Sequence, residues 1–217
     1  LGCVVDDLGI VPDTREATRA ALRAAAAGND LILTSGGVSV GEEDHVKPAV
    51  EAEGALDLWK IAIKPGKPLA FGRVGGNLGA GDTAGKSAAA FIGLPGSPVS
   101  SFVTFVMLVR PFILKSQGAT ELRPRARGLQ ADFDFKGDPR REFLRARRNP
   151  QGGLELFANQ GSGVLTSAVW ADGLIDNPIG RVTIENLGGS VLSDDGVDDY
   201  VRATKIGCAH ADPRQVG

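Results

Sequence analysis

The stretch LILTSGGVSVGEED, residues 31–44, decides how the rest of the chain is read. It opens on an apolar run without alternation, the pattern of a strand buried on both faces of a parallel sheet. At Thr34, Ser35, Gly36 and Gly37 it gives way to small residues that tolerate φ > 0, so backbone N–H groups and hydroxyls can approach a ligand closely. That is a place to hold an anion. In an open α/β sheet the ligand crevice lies beyond the carboxyl ends of the strands, and this loop falls there, with Glu42, Glu43 and Asp44 just past it. Two further loops have the same character, IKPGKP at 63–68 and GLPGSPVS at 93–100.

Working outward from that stretch, residues 1–11 read as a strand and 14–27 as a helix capped by Asp13 or Thr14 and stopped at Gly28. Arg15, Arg19 and Arg23 recur at helical spacing and read as a solvated face. Residues 45–52 read as a short helix started by His45, 56–63 and 69–74 as strands, and 99–115 as a helix with Pro111 inside it. Residues 75–90, low in bulky side chains, read as a flexible connection between paired strands. The fragment GAGDTAGKS there has one residue too few for a phosphate-binding P-loop, and no apolar strand precedes it.

Beyond a boundary at 118–124 the periodicity changes. FDFKGD, REFLRARR, LELFA, GRVTIENL and DDYVRATK are short extended pieces punctuated by Gly, Pro, Asn and Asp. The expected architecture is therefore an α/β domain with a doubly wound, mostly parallel sheet over 1–118, a small all-β domain over 119–205, and a tail over 206–217.

The chain has 217 residues, 42% of them hydrophobic, enough to fill a core. Its net charge of −2 comes from nearly balanced acids and bases, which points to neither nucleic acid nor a membrane surface as partner. No apolar run reads as long enough to span a bilayer, so the expectation is a cytoplasmic protein. Cys3 and Cys208 are too few and too far apart for a disulfide framework or a zinc cluster.

Three constellations carry chemistry. Lys64 and Lys67 sit on a loop stiffened by Pro65, Gly66 and Pro68, and two ammonium groups held this way suit a tetrahedral oxyanion. Lys60, four residues earlier on what reads as the same strand, would share the face of Lys64. Asp13 and Asp44 each follow a strand-end loop, a pair suited to a hydrated divalent cation, although Asp13 equally suits a helix cap and Asp44 an exposed turn. In GLPGSPVS, Pro95 and Pro98 fix the turn while Ser97, Ser100 and the helix-start N–H groups form a second anion cradle, or simply a helix entry. In REFLRARR, alternation sends Arg141, Arg145 and Arg147 to one face, most of these arginines reading as solvated, and Ser162 lies in an ordinary loop.

In chain order, TSGGVSVGEEDHVK, LWKIAIKPGKPLAFG, FIGLPGSPVSSFVTF, REFLRA and QGSGVLTSAVWADGLI together closely resemble the C-terminal half of the molybdopterin molybdenumtransferase family, the bacterial counterpart of the gephyrin E domain. The resemblance implies a molybdopterin-binding, MogA-like α/β domain that lacks its first strand and helix. It implies insertion of molybdenum from molybdate into adenylylated molybdopterin with release of AMP, with Mg²⁺ as cofactor. Carried over by position, the metal would be held by Asp13 and Asp44, counted with Lys60 and Lys64 as catalytic. Molybdate would be held by Lys64, Lys67, Pro68, Ser100, Arg145 and Ser162, and the rest of the substrate by Ser35, Gly36, Gly37, Pro95 and Pro98. A homodimer and contact with a molybdopterin adenylyltransferase are also implied. Ser97 stands where the family usually has Asn, the 75–90 connection looks long, and the family's N-terminal domains are not represented, so the chain alone is expected to be incomplete as an enzyme. Two rival readings are a molybdopterin adenylyltransferase, disfavoured by KPGKP and GSGVLTS, and a non-catalytic gephyrin-like module that binds a partner peptide.

Overall fold

The computed structural model describes residues 1–38, 45–76, 88–179 and 184, with the backbone alone at 127 and 201–205. The chain divides into two compact units, Leu1–Arg123 and Pro124–Gly217. In the first, helix α1 (Arg15–Ala26) starts at Thr14, whose hydroxyl accepts from the Ala17 N–H at 3.2 Å, so Thr14 rather than Asp13 is the cap. Strand β1 (Leu31–Ser35), helix α2 (Val46–Glu53), β2 (Gly54–Lys60), β3 (Ile63–Lys64), β4 (Pro68–Val74) and β5 (Ala89–Leu94) follow.

The strand order is β1-β5-β4-β2, and here the expectation of a doubly wound, mostly parallel sheet is overturned. Only β1 and β5 run parallel; β4 is antiparallel to both β5 and β2. The reason is connectivity. A parallel neighbour needs a crossover, usually helical, whereas β2, β4 and β5 follow one another with no helix described between them.

Alternation along these strands feeds two cores. Ile32, Ala70, Val74, Ala89 and Phe91 face one way and pack with Leu22 of α1 and Ala49 and Val50 of α2. Leu69, Ile92 and Leu94 face the other way and pack with Val109 and Ile113 of the long helix that follows. Each large side chain fully withdrawn from water, such as Phe91, contributes about 1.5–3 kcal/mol.

That long helix comprises α3 (Pro98–Thr104), a π-helical turn (Phe105–Val109) and α4 (Arg110–Ser116). Pro111 has no N–H to give the carbonyl four residues back, and the ladder just before it widens, with Arg110 N–H reaching Phe105 O. By length and composition this helix could cross a bilayer, contrary to the reading of the apolar runs above, but its buried apolar side chains cover the sheet.

Residues 1–11 form no strand. Asp7 accepts from the Gly9 N–H at 2.8 Å, and Gly9 takes φ +67°, which turns the chain away from an extended course. The apolar side chains left there are open to water, Ile10 wholly so.

The second unit is built from β6 (Ala126–Leu129), β7 (Arg141–Arg148), β8 (Leu154–Leu156), helix α5 (Thr166–Trp170), β9 (Gly173–Asn177) and β10 (Val201–Lys205). β7 pairs with β8 and β9, β9 with β10, and β10 with β6, all antiparallel. Leu144, Ala146, Leu154 and Ile175 centre its core. FDFKGD is not a strand; Phe135 makes only an isolated bridge to Ile184. The readings of 39–44, of the 81–87 fragment and of the 206–217 tail lie outside the described residues.

Candidate functional site

In the first unit, two of the three loops singled out by sequence meet where β1 and β5 end and α3 begins. Gly36 N–H donates to Leu94 O at 3.0 Å, which carries the β1–β5 ladder into the SGG loop. Ser35 Oγ donates to Pro95 O at 3.4 Å and lies 3.4 Å from Ser101 Oγ, itself a donor to Pro95 O. On α3, Ser97 Oγ donates to Ser100 Oγ at 2.8 Å, leaving the buried Ser100 hydroxyl its own proton to donate. Ser35, Gly36, Pro95 and Ser101 are thus brought together, with Ser100 next to Ser101 on α3. Gly37 is exposed beside them, and Pro98 occupies the first turn of α3.

The KPGKP loop reaches the same helix. Gly66 lies so close to Thr104 that a Cβ there would come within 2.6 Å of Thr104 Cγ2, and Thr104 Oγ1 donates to Ser100 O at 2.7 Å. Lys60 stands opposite Pro68 in the β2–β4 register, while Ile61 N–H donates to Lys67 O at 3.1 Å. That turn ends β2 at Lys60 and starts β3 at Ile63, so Lys60 and Lys64 do not share a strand; the expected common face is corrected. The Lys64–Pro65 peptide is cis. Pro65 and Gly66 are buried, Lys64 and Pro68 half-buried, and Lys60 and Lys67 exposed. A buried turn thus carries the exposed Lys67 and stands beside the exposed Lys60, which places positive charge at the surface there.

One hydroxyl of the small-residue run at 34–37 stands apart from the others. Thr34 Oγ1, directly before the SGG loop, is buried and has no hydrogen-bond partner among the described residues. A buried hydroxyl left in this way costs about 1–3 kcal/mol. No periodicity distinguishes it from its neighbours; only the structure does.

In the second unit the arginines separate sharply. Arg140 meets Asp138, Arg141 meets Asp176 and Arg147 meets Glu155, each at the surface. Arg145 is 1% exposed and meets no carboxylate among the described residues. Its Nε donates to Ser167 Oγ at 3.1 Å, Nη1 to Phe143 O at 3.3 Å and Nη2 to Gly161 O at 3.3 Å, all neutral acceptors. Burial without a counter-charge pulls its pKa down to about 10. It remains charged at neutral pH, a cation still suited to an anion. Ser162 is exposed on the loop whose Gly161 carbonyl touches this guanidinium. Gln160 and Ser167, which hold Arg145, were not identified from sequence; a Gln and a Ser in a polar loop carry no pattern of their own.

Of the proposed metal pair only Asp13 lies among the described residues. Asp13 is exposed in the turn before α1, Asp44 lies outside the described residues, and no three His, Cys, Asp or Glu side chains gather. Mg²⁺ takes one or two carboxylates when phosphate oxygens and water complete its shell, so Asp13 fits as a contributor but not as a complete site.

Comparison with known proteins gives two family matches: residues 1–115 match the probable molybdopterin binding domain, and residues 129–186 match the MoeA C-terminal region, domain IV. The molybdopterin molybdenumtransferase of Haemophilus influenzae is 49% identical over 118 residues, covering 54% of this chain and 26% of that protein. That of Synechococcus elongatus is 32% identical over 171 residues, covering 78% of this chain and 40% of the relative. The crystal structure of the molybdopterin biosynthesis MoeA protein from Pyrococcus horikosii superposes with a TM-score of 0.66 at 25% identity, covering 91% of this chain and 42% of that one. The chain therefore spans between 26% and 42% of the length of these relatives.

Proposed function

This chain belongs to the molybdopterin molybdenumtransferase (MoeA) family, and on that premise we propose that it carries the anion-binding half of molybdenum insertion, the transfer of molybdenum from molybdate into adenylylated molybdopterin with release of AMP. The observation that carries the reading is the meeting of the SGG loop, the KPGKP loop and the GSPVS turn on α3. Lysines, hydroxyls and backbone N–H groups there answer the needs of an oxyanion and a phosphate together.

In this reading Lys64 and Lys67 neutralise molybdate, Pro68 shapes the turn that presents them, and Ser100 donates its free proton. In the second unit Arg145 and Ser162 are read as anion-binding groups, and in the first Lys60 adds positive charge beside the KPGKP loop. Ser35, Gly36, Gly37, Pro95 and Pro98 form the ledge for molybdopterin and its phosphate, with Thr34 Oγ1 as a further donor. Mg²⁺ would be held through Asp13 and Asp44 with phosphate oxygens, and would screen charge on the adenylate. A cytoplasmic homodimer that receives its substrate from a molybdopterin adenylyltransferase belongs to the same reading.

The direct test supplies the full chain with adenylylated molybdopterin, Mg²⁺ and molybdate, and follows AMP. The expected result is AMP release that requires molybdate and falls in Lys64→Ala. A folded chain that releases none, or releases it equally without molybdate, overturns the proposal.

A further inference from the structure

We propose that Gln160 is a positioning residue that aims the Arg145 guanidinium, by completing the β7 hydrogen-bond ladder with a side chain where the neighbouring strand has left it. The inference rests on the reading of Arg145 as an anion-binding group. β8 follows β7 only as far as Leu156, which stands opposite Ala146, and Phe157 N–H makes one more bond, to Arg145 O at 3.1 Å. The chain then departs, and β8 offers no acceptor to the backbone N–H of Arg145. Gln160 supplies it. Its Oε1 accepts from Arg145 N–H at 2.9 Å, and its Nε2 donates to Arg145 O and to Phe157 O, both at 2.9 Å.

These three bonds fix the orientation of the amide, because one end faces a donor and the other faces two acceptors. They also fix the loop. Gly161, the next residue, presents the carbonyl that receives Arg145 Nη2, and Ser167 receives Nε while donating its own proton to Val164 O at 2.7 Å. Phe157, where the loop begins, stacks edge-on against Trp170 at 5.3 Å, and Arg147 lies 4.3 Å over the Trp170 ring. The loop is therefore clamped at both ends, with Gln160 between. Of the five N–H groups on a guanidinium, three are used this way. One N–H on each terminal nitrogen has no partner among the described residues. Their direction depends on where Gly161 O and Ser167 Oγ stand, and that depends on the Gln160 bonds.

The test uses the ¹⁵N-labelled full chain and reads hydrogen exchange at the Arg145 Nε–H, assigned by its disappearance in Arg145→Lys, beside molybdate titration. Gln160→Ala is expected to speed Nε–H exchange and to weaken molybdate binding, each by about tenfold or more, as follows from loss of three partly buried hydrogen bonds. Gln160→Glu keeps the acceptor but loses both donations while ionised. Its exchange is expected to be fast relative to the unaltered chain at neutral pH and to return toward it below the ordinary glutamate pKa of about 4.3, where the acid O–H can donate again. A merely space-filling role would give no such pH profile.

If Nε–H protection in Gln160→Ala matches the unaltered chain, the proposal is overturned. Should that variant fail to fold, a ratio of Gln160→Glu to unaltered exchange that does not change with pH overturns it equally. If protection is lost as expected but the unaltered chain binds no molybdate, the positioning role stands and the anion reading of Arg145 falls.

Discussion

At the scale of single residues, the KPGKP loop depends on Gly66. Its φ is +118°, and a Cβ would lie 2.6 Å from Thr104 Cγ2 and 3.2 Å from Ile63 Cδ1. Gly66→Ala therefore meets both backbone strain and a steric conflict, and is expected to lower unfolding free energy by roughly 1–3 kcal/mol. Denaturant titration checks the stability, and weakened molybdate binding checks that the lysines moved with the loop. The sequence showed that this glycine sits between prolines in a stiff turn; that Thr104, far along the chain, is what it must accommodate was not legible. Arg145 illustrates the same limit. Five arginines stand within nine residues, 140–148, and alternation alone cannot say which is buried without a carboxylate.

At the scale of elements, α1 and α2 are clamped by Glu53, whose carboxylate accepts from Arg19 Nε at 2.6 Å and Arg23 Nη1 at 2.7 Å. The helical spacing of these arginines was readable, but their grip on Glu53 came from the packing of the two helices. The Arg19 hydrogen bond holds the Glu53 carboxyl below its usual range; partial burial opposes this, and the charges of Arg23 and Arg19 reinforce it. A depressed folded pKa means the stabilisation is present above the unfolded value of about 4.3 and is lost as pH falls through the lower folded value. Glu53→Gln is expected to cost no more than about 1 kcal/mol at pH 7, because the arginines are solvent-screened. Thermal unfolding across pH should show that difference shrinking to nothing in acid. Other elements were obscured for physical reasons: β-branched residues in 1–11 favour extension, but an Asx turn at Asp7 and the absence of a described pairing partner leave them without a ladder. Sheet sense was misjudged because apolar runs report burial on two faces, not strand direction.

At the scale of the whole molecule, the sheet of the first unit ends on β1, which among the described residues pairs with β5 alone. A cavity of about 1900 Å³ lies between that edge and residues 1–13, with Leu22, Phe105 and Phe112 among its walls. Unpaired N–H and C=O groups beside exposed apolar side chains invite another strand. Sedimentation of the chain is expected to show concentration-dependent association. Leu33→Lys, at a β1 position 40% exposed, should reduce it by placing a charge on the edge. Association unaffected by this substitution would place the contact elsewhere.

What stands or falls here is oxyanion binding by the lysines of the KPGKP loop. Calorimetric titration of the full chain with molybdate, in the presence of adenylylated molybdopterin and Mg²⁺, tests it most directly. Saturable binding is expected, weakened by about tenfold or more in Lys64→Ala. A folded chain that gives no binding heat, or a Lys64→Ala variant whose affinity equals that of the unaltered chain, contradicts it.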